Sequence, residues 1–323
     1  MSNLEPEPAE TDCGGDVALA RRADVLIGRE VALGRYTTVS RLLPHTNRRM
    51  VGAWCFLDHF GPDALYATPG MQVPPHPHCG LQTVTWLLDG EVLHRDSIGT
   101  LATIRPGQLN LMTAGNGIAH SEESPPGRPP TLHGLQLWIA LPADEAAAPS
   151  RFEHYRDLPR IAIGAAEVIV VIGEFGGVAS PARVATPIVG ADIAIAVGGS
   201  ASLPLQSDFE YGVLAVDGSA RIDGTDLAPG ALLYLGDGRP SLPVEAPDGA
   251  RLFLVGGEPF ADELVMWWNF VARSHDEIAR ARADWAAGER FGVVHGYAGD
   301  RLPAPEMPTV RLKPRGREGR PLS

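Results

Sequence analysis

The stretch PPHPHCGLQTVTWLLDGEV sets His76 and His78 one residue apart, just ahead of a run that reads as β-strand. Further along, AGNGIAHSE repeats the alternate spacing with His120 and Glu122. Residues i and i+2 of a strand share a face, so each pair projects together, about 6–7 Å apart at the backbone. On neighbouring strands facing an interior, the two pairs would offer three imidazoles and one carboxylate. That donor set suits a divalent first-row metal, with bonds of ~2.0–2.2 Å. A lone His-x-His is weak evidence and reads more readily as two polar residues at a strand edge. The second pair, arriving after a Pro-Gly turn, is what favours a metal.

The elements that must position these residues are strands. TVTWLLDGEVLHRDS is β-branched and aromatic and breaks at Asp89-Gly90, a hairpin-type turn pair. LATIRPGQLNLMTAG gives two more strands about Pro106-Gly107, and LHGLQLWIAL a fourth. After a Pro- and Ala-rich stretch the strands resume: AAEVIVVIGEFGG, ADIAIAVGGS, YGVLAVDGSARIDG, GALLYLGDG, ARLFLVGGEP. SHDEIARARADWAAGERFG reads as helix, with Ser274 as N-cap, Glu277 in the capping-box position and Gly288 as the stop. VTWLLDGEVLHRDS…IRPGQLNLM also resembles GVLAVDGSARIDG…LAPGALLYL, strand, Asp-Gly turn, strand, Pro-Gly turn, strand. Duplication of a small β-barrel follows. The second copy reads PLQSDFEYG ahead of its turn, without histidine, so a metal would belong to the N-terminal unit alone. The expected organisation is a disordered leader over 1–22, a metal-binding unit over 23–145 and a connector over 146–160. A second unit follows over 161–292, including a helix near 275–287, and a tail over 293–323.

Composition bounds the function. The chain has 323 residues, 44% hydrophobic and 20% charged, with 37 Gly and 29 Pro. That describes a globular, turn-rich, all-β protein. No apolar run approaches the ~20 residues a bilayer crossing needs. The acidic N-terminus lacks the apolar core of a secretory signal, so the expected location is the cytoplasm. A net charge of −12 argues against direct nucleic-acid binding. The basic cluster Arg311, Lys313, Arg315, Arg317 and Arg320 reads as a solvated flexible tail. Three cysteines, Cys13, Cys55 and Cys79, show no CxxC spacing, against a disulfide scaffold or a Cys-rich zinc site.

HPHCGLQTVTWLLDGEVLHRDSIG, IRPGQLNLMTAGNGIAHSE and HGLQLWIALP resemble signature segments of the pirin family in the cupin superfamily. RMVGAWCFLDHFGP upstream, and GEPFADELVMWWNFV with DEIARARADW downstream, extend the resemblance from about residue 28 to 292. Gly70 stands where the cupin pattern Gly-x5-His-x-His requires it. The resemblance implies a bicupin, two barrels face to face with a short C-terminal helix. It also implies one mononuclear metal in the first barrel, usually Fe(II), with Mn, Ni, Co, Cu or Zn as alternatives. Its ligand positions fall on His76, His78, His120 and Glu122.

Departures from the family's His-Pro-His-Arg-Gly-Phe-Glu are Cys79, Leu81 and Gln82. Gln82 replaces an acid that other cupins use as a ligand, which strengthens Glu122 as the carboxylate ligand. Cys79 is expected on the face opposite the ligands, as a small buried hydrophobe or a redox-sensitive thiol. His94 fits the family pattern as a residue behind the ligands or as a polar strand residue. His59 and His133 read as structural. Trp267 and Trp268 read as core between the units rather than as a stacking surface for a flavonol. Met112, Ile118 and Trp86 could line the cavity or fill the barrel.

The activity the resemblance implies is quercetin 2,3-dioxygenase-like: a flavonol and O2 as substrates, carbon monoxide as a product, and Glu122 as both ligand and base. The alternative it carries is a non-enzymatic, iron-binding, redox-responsive regulator with a protein partner.

Overall fold

The computed structural model describes residues 24–33 and 36–318. The expected leader, Cys13 and Arg320 lie outside them. The first half carries β1 (Asp24–Ile27), β2 (Arg29–Leu33), β3 (Thr37–Leu43), β4 (Trp54–Ala64), β5 (Gln72–His78), β6 (Leu81–Asp89) and β7 (Val92–Asp96). It continues with β8 (Leu101–Ile104), β9 (Leu109–Thr113), β10 (Ile118–Glu123), β11 (Thr131–Ala140) and β12 (Arg151–Tyr155). The second half carries β13 (Arg160–Ile163), β14 (Ala166–Ile172), β15 (Glu174–Phe175), β16 (Val178–Ala179), β17 (Ile188–Ile195) and β18 (Gly199–Pro204). Then come β19 (Glu210–Asp217), β20 (Ala220–Ile222), β21 (Thr225–Leu227), β22 (Ala231–Gly236), β23 (Ser241–Ala246) and β24 (Ala250–Gly257). A hairpin of β25 (Val265–Trp267) and β26 (Phe270–Ala272) leads into α1 (His275–Ala287).

The sequence repeat is a structural repeat. The first unit has a seven-stranded sheet β12-β9-β6-β11-β4-β3-β2 facing a four-stranded sheet β5-β10-β7-β8. The second has β1-β22-β19-β24-β17-β14-β13 and β18-β23-β20-β21, strand for strand the same order. The fold is therefore the expected all-β, two-unit cupin arrangement with one short helix among the described residues. The edge strands cross the expected boundaries. β1 precedes the first unit yet pairs with β22 of the second, and the stretch expected as a connector holds β12, paired with β9.

The Asp-Gly turns do not make hairpins. β6 pairs with β9 and β11, whereas β7 pairs with β8 and β10, so Asp89-Gly90 carries the chain from one sheet to the facing one. Alternation and turn residues signal that the chain bends, not which sheet the next strand joins. Gly90 is required there: its φ is +89° and a Cβ would sit 2.5 Å from the Thr131 carbonyl oxygen.

The two large sheets pack on each other. On β6, Val84 and Trp86 point to the second unit while Thr83 and Thr85 point inward, as period-2 alternation demands. Leu57, Leu135 and Leu137 join Leu214, Leu232, Phe253 and Val255 in one buried cluster. Each such side chain contributes about 1.5–3 kcal/mol of burial. Indole donors pin the interface. Trp54 Nε1 donates to the Val189 and Gly256 carbonyls at 3.0 and 3.2 Å. Trp86 Nε1 donates to Asp192 Oδ2 at 2.8 Å, and Arg251 binds the same carboxylate with two bonds.

α1 starts and stops where its cap residues place it. Ser274 Oγ accepts from Glu277 N, and Gly288 takes the left-handed conformation at φ +78°. The Glu277 carboxylate accepts from Arg273 N, one residue before the N-cap. Ile278, Ala281 and Trp285 pack with Trp267, Trp268, Phe270 and Phe291 behind the small sheet of the first unit, against Cys79 and Ala119. The segment 293–318, expected as a solvated flexible tail, is largely exposed but tied to the body at several points. Leu312 is buried, Leu264 and Arg315 exchange backbone hydrogen bonds, and the Arg317 carbonyl accepts from Arg49 N and Met50 N. Its cations meet carboxylates remote in sequence, Arg311 with Asp276 and Arg317 with Glu210, which local charge patterning does not reveal.

Candidate metal centre

β10 lies between β5 and β7 in the small sheet of the first unit. Against β5, Ile118 is level with His78 and His120 with His76. A bulge between His120 and Glu122 then shifts the register so that Glu122 faces Val73. Against β7, His120 is level with Asp96 and Glu122 with His94. His76, His78 and His120 stand with ring centroids 4.3–5.1 Å apart. One ligand atom from each of the three lies within 4.8 Å of the others. His94, His120 and Glu122 form a second such group, so His120 belongs to both. All five side chains are buried.

The donors fit a metal. His76 Nδ1 lies 2.8 Å from the Pro74 carbonyl, and His78 Nδ1 lies 3.2 Å from the Asn269 carbonyl. A carbonyl only accepts, so each Nδ1 carries the proton and each Nε2 keeps a lone pair. His120 Nε2 is buried and has no hydrogen-bond partner among the described residues. Burial pushes the His76 imidazole down to about 4, and burial, followed by the neighbouring histidines, holds His78 and His120 well below their ordinary range. These are neutral imidazoles, the form a metal takes.

Across the interior lies the seven-stranded sheet, which presents two cross-strand rows. One runs His154, Asn110, Thr85, Gln136, Asp58, Arg41. In it Thr85 Oγ1 reaches Gln136 Oε1 at 2.9 Å and Glu122 Oε1 at 3.3 Å, and Arg41 binds Asp58 with two bonds of 2.9 Å. The next row is Phe152, Met112, Thr83, Trp138, Phe56. Phe152 stacks on His94 at 4.6 Å, Trp138 meets His78 edge-on at 5.1 Å, and Phe56 stacks on Trp138 at 4.0 Å. The centre thus has an apolar aromatic wall beside His78 and His94 and a polar wall beside Glu122.

Other residues weighed from sequence fall elsewhere. Gln82 points to the second unit and donates to Thr113 Oγ1 and the Arg183 carbonyl, so it stands outside the ligand cluster. Trp86 serves the interface. Met112 and Ile118 share the faces of Thr83 and His120. Cys79 lies behind the candidate ligands, as alternation predicts, with burial raising its thiol to about 12. Trp267 and Trp268 pack under α1. His59 and His133 bond to each other through their Nε2 atoms at 2.8 Å, away from the cluster. Asp96, Asn269, Thr85 and Phe152 were not anticipated. Asp96 alone had a local signal, standing two residues after His94 on the same strand face.

Comparison with known proteins matches this arrangement. The Pirin family profile matches residues 36–139, and that of the Pirin C-terminal cupin domain matches 190–292. A Pseudomonas aeruginosa protein named "Putative quercetin 2,3-dioxygenase PA1205" is 47% identical over 87% of this chain and 89% of its own length. A "Pirin-like protein" of Caulobacter vibrioides is 36% identical over 87% of this chain and 99% of its own. The crystal structure of a quercetin 2,3-dioxygenase from Acinetobacter baumannii superposes with a TM-score of 0.87 at 42% identity, covering 90% of this chain and 97% of that one. With both halves matched in order, the chain belongs to the pirin family of cupin proteins.

Proposed function

We propose that this protein is a metal-dependent dioxygenase that opens a flavonol such as quercetin with O2 and releases carbon monoxide. Its one divalent metal, Fe(II) in our reading, is held by His76, His78, His120 and Glu122. The observation that carries this reading is the set of neutral, buried imidazoles converging on one point, with His120 Nε2 lacking any partner among the described residues. The relatives named for quercetin cleavage support the substrate class.

When bound, the metal supplies Lewis acidity that lowers the pKa of a coordinated hydroxyl and favours its anion. Glu122 takes the proton from the flavonol 3-hydroxyl, and Thr85 holds the carboxylate oxygen while it does so. The row Phe152, Met112, Trp138 excludes water and offers flat apolar surface to a planar ring system. The overall balance is closed: C3 leaves with its oxygen as carbon monoxide, and both atoms of O2 enter the ester that remains.

The test is oxygen uptake by anaerobically purified, Fe(II)-loaded protein on adding quercetin, with carbon monoxide followed alongside. Uptake with carbon monoxide release, abolished in His76→Ala, is the expected result. No uptake from protein shown to hold iron rejects the dioxygenase.

A further inference from the structure

Behind His120 lies a chain of two buried groups, His94 and Asp96. Asp96 Oδ2 is 3.2 Å from His94 Nε2, and His94 Nδ1 is 3.4 Å from His120 Nδ1. Asp96 is itself fixed, because its Oδ1 accepts from Thr100 N at 2.8 Å and Ile98 N at 3.1 Å. The His94 ring is clamped by Phe152, stacked at 4.6 Å with an interplanar angle of 25°.

For a neutral His94 imidazole, the donors and acceptors in this chain have one consistent order. A carboxylate only accepts, so His94 Nε2 carries a proton and His94 Nδ1 is left as the acceptor. His120 Nδ1 must then be the donor, which leaves a lone pair on His120 Nε2, the buried atom without a partner among the described residues. An imidazole left alone populates both tautomers, and only one of them can bind a metal through Nε2. We infer that Asp96 and His94 are positioning residues that hold His120 in its metal-binding tautomer. The inference rests on the metal centre proposed above.

Asp96→Asn is the informative variant. Its amide oxygen still serves the two backbone donors, while its N–H now points at His94 Nε2. Every link reverses: His94 is protonated at Nδ1 and donates to His120 Nδ1, and the His120 proton moves to Nε2, where it blocks the metal. His94→Phe keeps the stack on Phe152 but removes the link, leaving His120 free to choose. A structural role predicts that the larger ring replacement is the more harmful. The relay predicts the opposite.

Full-length protein stripped of metal is titrated with Co(II) against a competing chelator, and the histidine tautomers are read in the metal-free, 15N-labelled protein. Expected are Nδ1–H at His120 in the wild type and Nε2–H in Asp96→Asn. Co(II) affinity falls 10–100-fold in Asp96→Asn, the range for groups that orient ligands, and by less in His94→Phe. Unchanged tautomer and affinity in Asp96→Asn, or a greater loss in His94→Phe, overturn the relay while leaving the metal centre standing. A wild-type protein that binds no Co(II) overturns the metal centre itself.

Discussion

The His59–His133 pair makes the stability of this fold sensitive to acid in a calculable way. His59 is buried, and desolvation first, then the His133 charge, lowers its pKa from 6.5 to about 4. In the unfolded chain the imidazole titrates near its ordinary value. Between the two values the unfolded state binds a proton that the folded state refuses, so stability falls as pH drops through that window and is complete above it. Integrated from pH 7 to pH 5, the loss is about 2 kcal/mol from His59 alone. For 323 residues, at ~2.1 cal/mol/K of unfolding entropy per residue, that corresponds to roughly 3 °C in Tm. His59→Gln keeps an amide that can bond His133 but does not titrate. Thermal unfolding of both proteins, with chelator present so that metal ligands contribute equally, is followed from pH 7 to 5. The quantity read is the slope, so any fixed cost of the substitution cancels. The wild type should lose about 3 °C more than His59→Gln. Parallel curves would refute the claim that this histidine is held neutral by burial.

Glu122→Gln should retain part of the metal and lose most turnover, measured by metal content and oxygen uptake on one preparation; full turnover removes Glu122 as base. Divalent metal at 100 times its Kd should stabilise the chelator-treated protein by about 2.7 kcal/mol, and His76→Ala should abolish the shift in unfolding midpoint. Gly80→Ala should cost about 2 kcal/mol or more in urea unfolding, because φ is +71° and the new Cβ would sit 2.0 Å from the Val271 carbonyl oxygen. Replacing the polar cluster by the residues at matching positions of the second unit, His76→Leu, His94→Ile, His120→Leu and Glu122→Val together, should raise metal-free stability by roughly 1–4 kcal/mol while erasing metal stabilisation. A large loss of stability instead would mean that the cluster holds the fold without metal.

What was legible in the sequence was what repeats locally. Alternation placed His76 and His78 on one face and Cys79 on the other, and the two Asp-Gly and Pro-Gly turns exposed the duplication. Ser274, Glu277 and Gly288 marked α1 at both ends because cap chemistry is local. Sheet membership was hidden, since β6 and β7 are adjacent in sequence yet hydrogen-bond in different sheets. So was the exchange of edge strands, because nothing local distinguishes β1 from a strand of its own unit. Gln82 occupies a position where other cupins carry a ligand acid, yet alternation with Thr83 and Thr85 puts it on the other face. Asn269 reaches His78 only through the fold, with its carbonyl delivered by a turn in which Trp268 holds φ +52°.

The two units together set the polar cluster against an aliphatic counterpart. Aligned on Asp89-Gly90 and Asp217-Gly218, His94 on β7 corresponds to Ile222 on β20. Glu122 is level with His94, and Val244 is level with Ile222. Two residues earlier stand His120 and Leu242, and across the next ladder their partners are His76 and Leu203. One backbone, built twice, thus carries His76, His94, His120 and Glu122 in one copy and Leu203, Ile222, Leu242 and Val244 in the other. The aliphatic set is fully buried in a single core cluster and needs no partner. The polar set is equally buried and must be desolvated at a cost that hydrogen bonds within the protein only partly offset. Since the same scaffold folds around aliphatic residues at these positions, folding does not demand the histidines or the carboxylate. A divalent cation, as proposed above, would offset that cost, since neutral imidazoles beside a carboxylate suit such an ion.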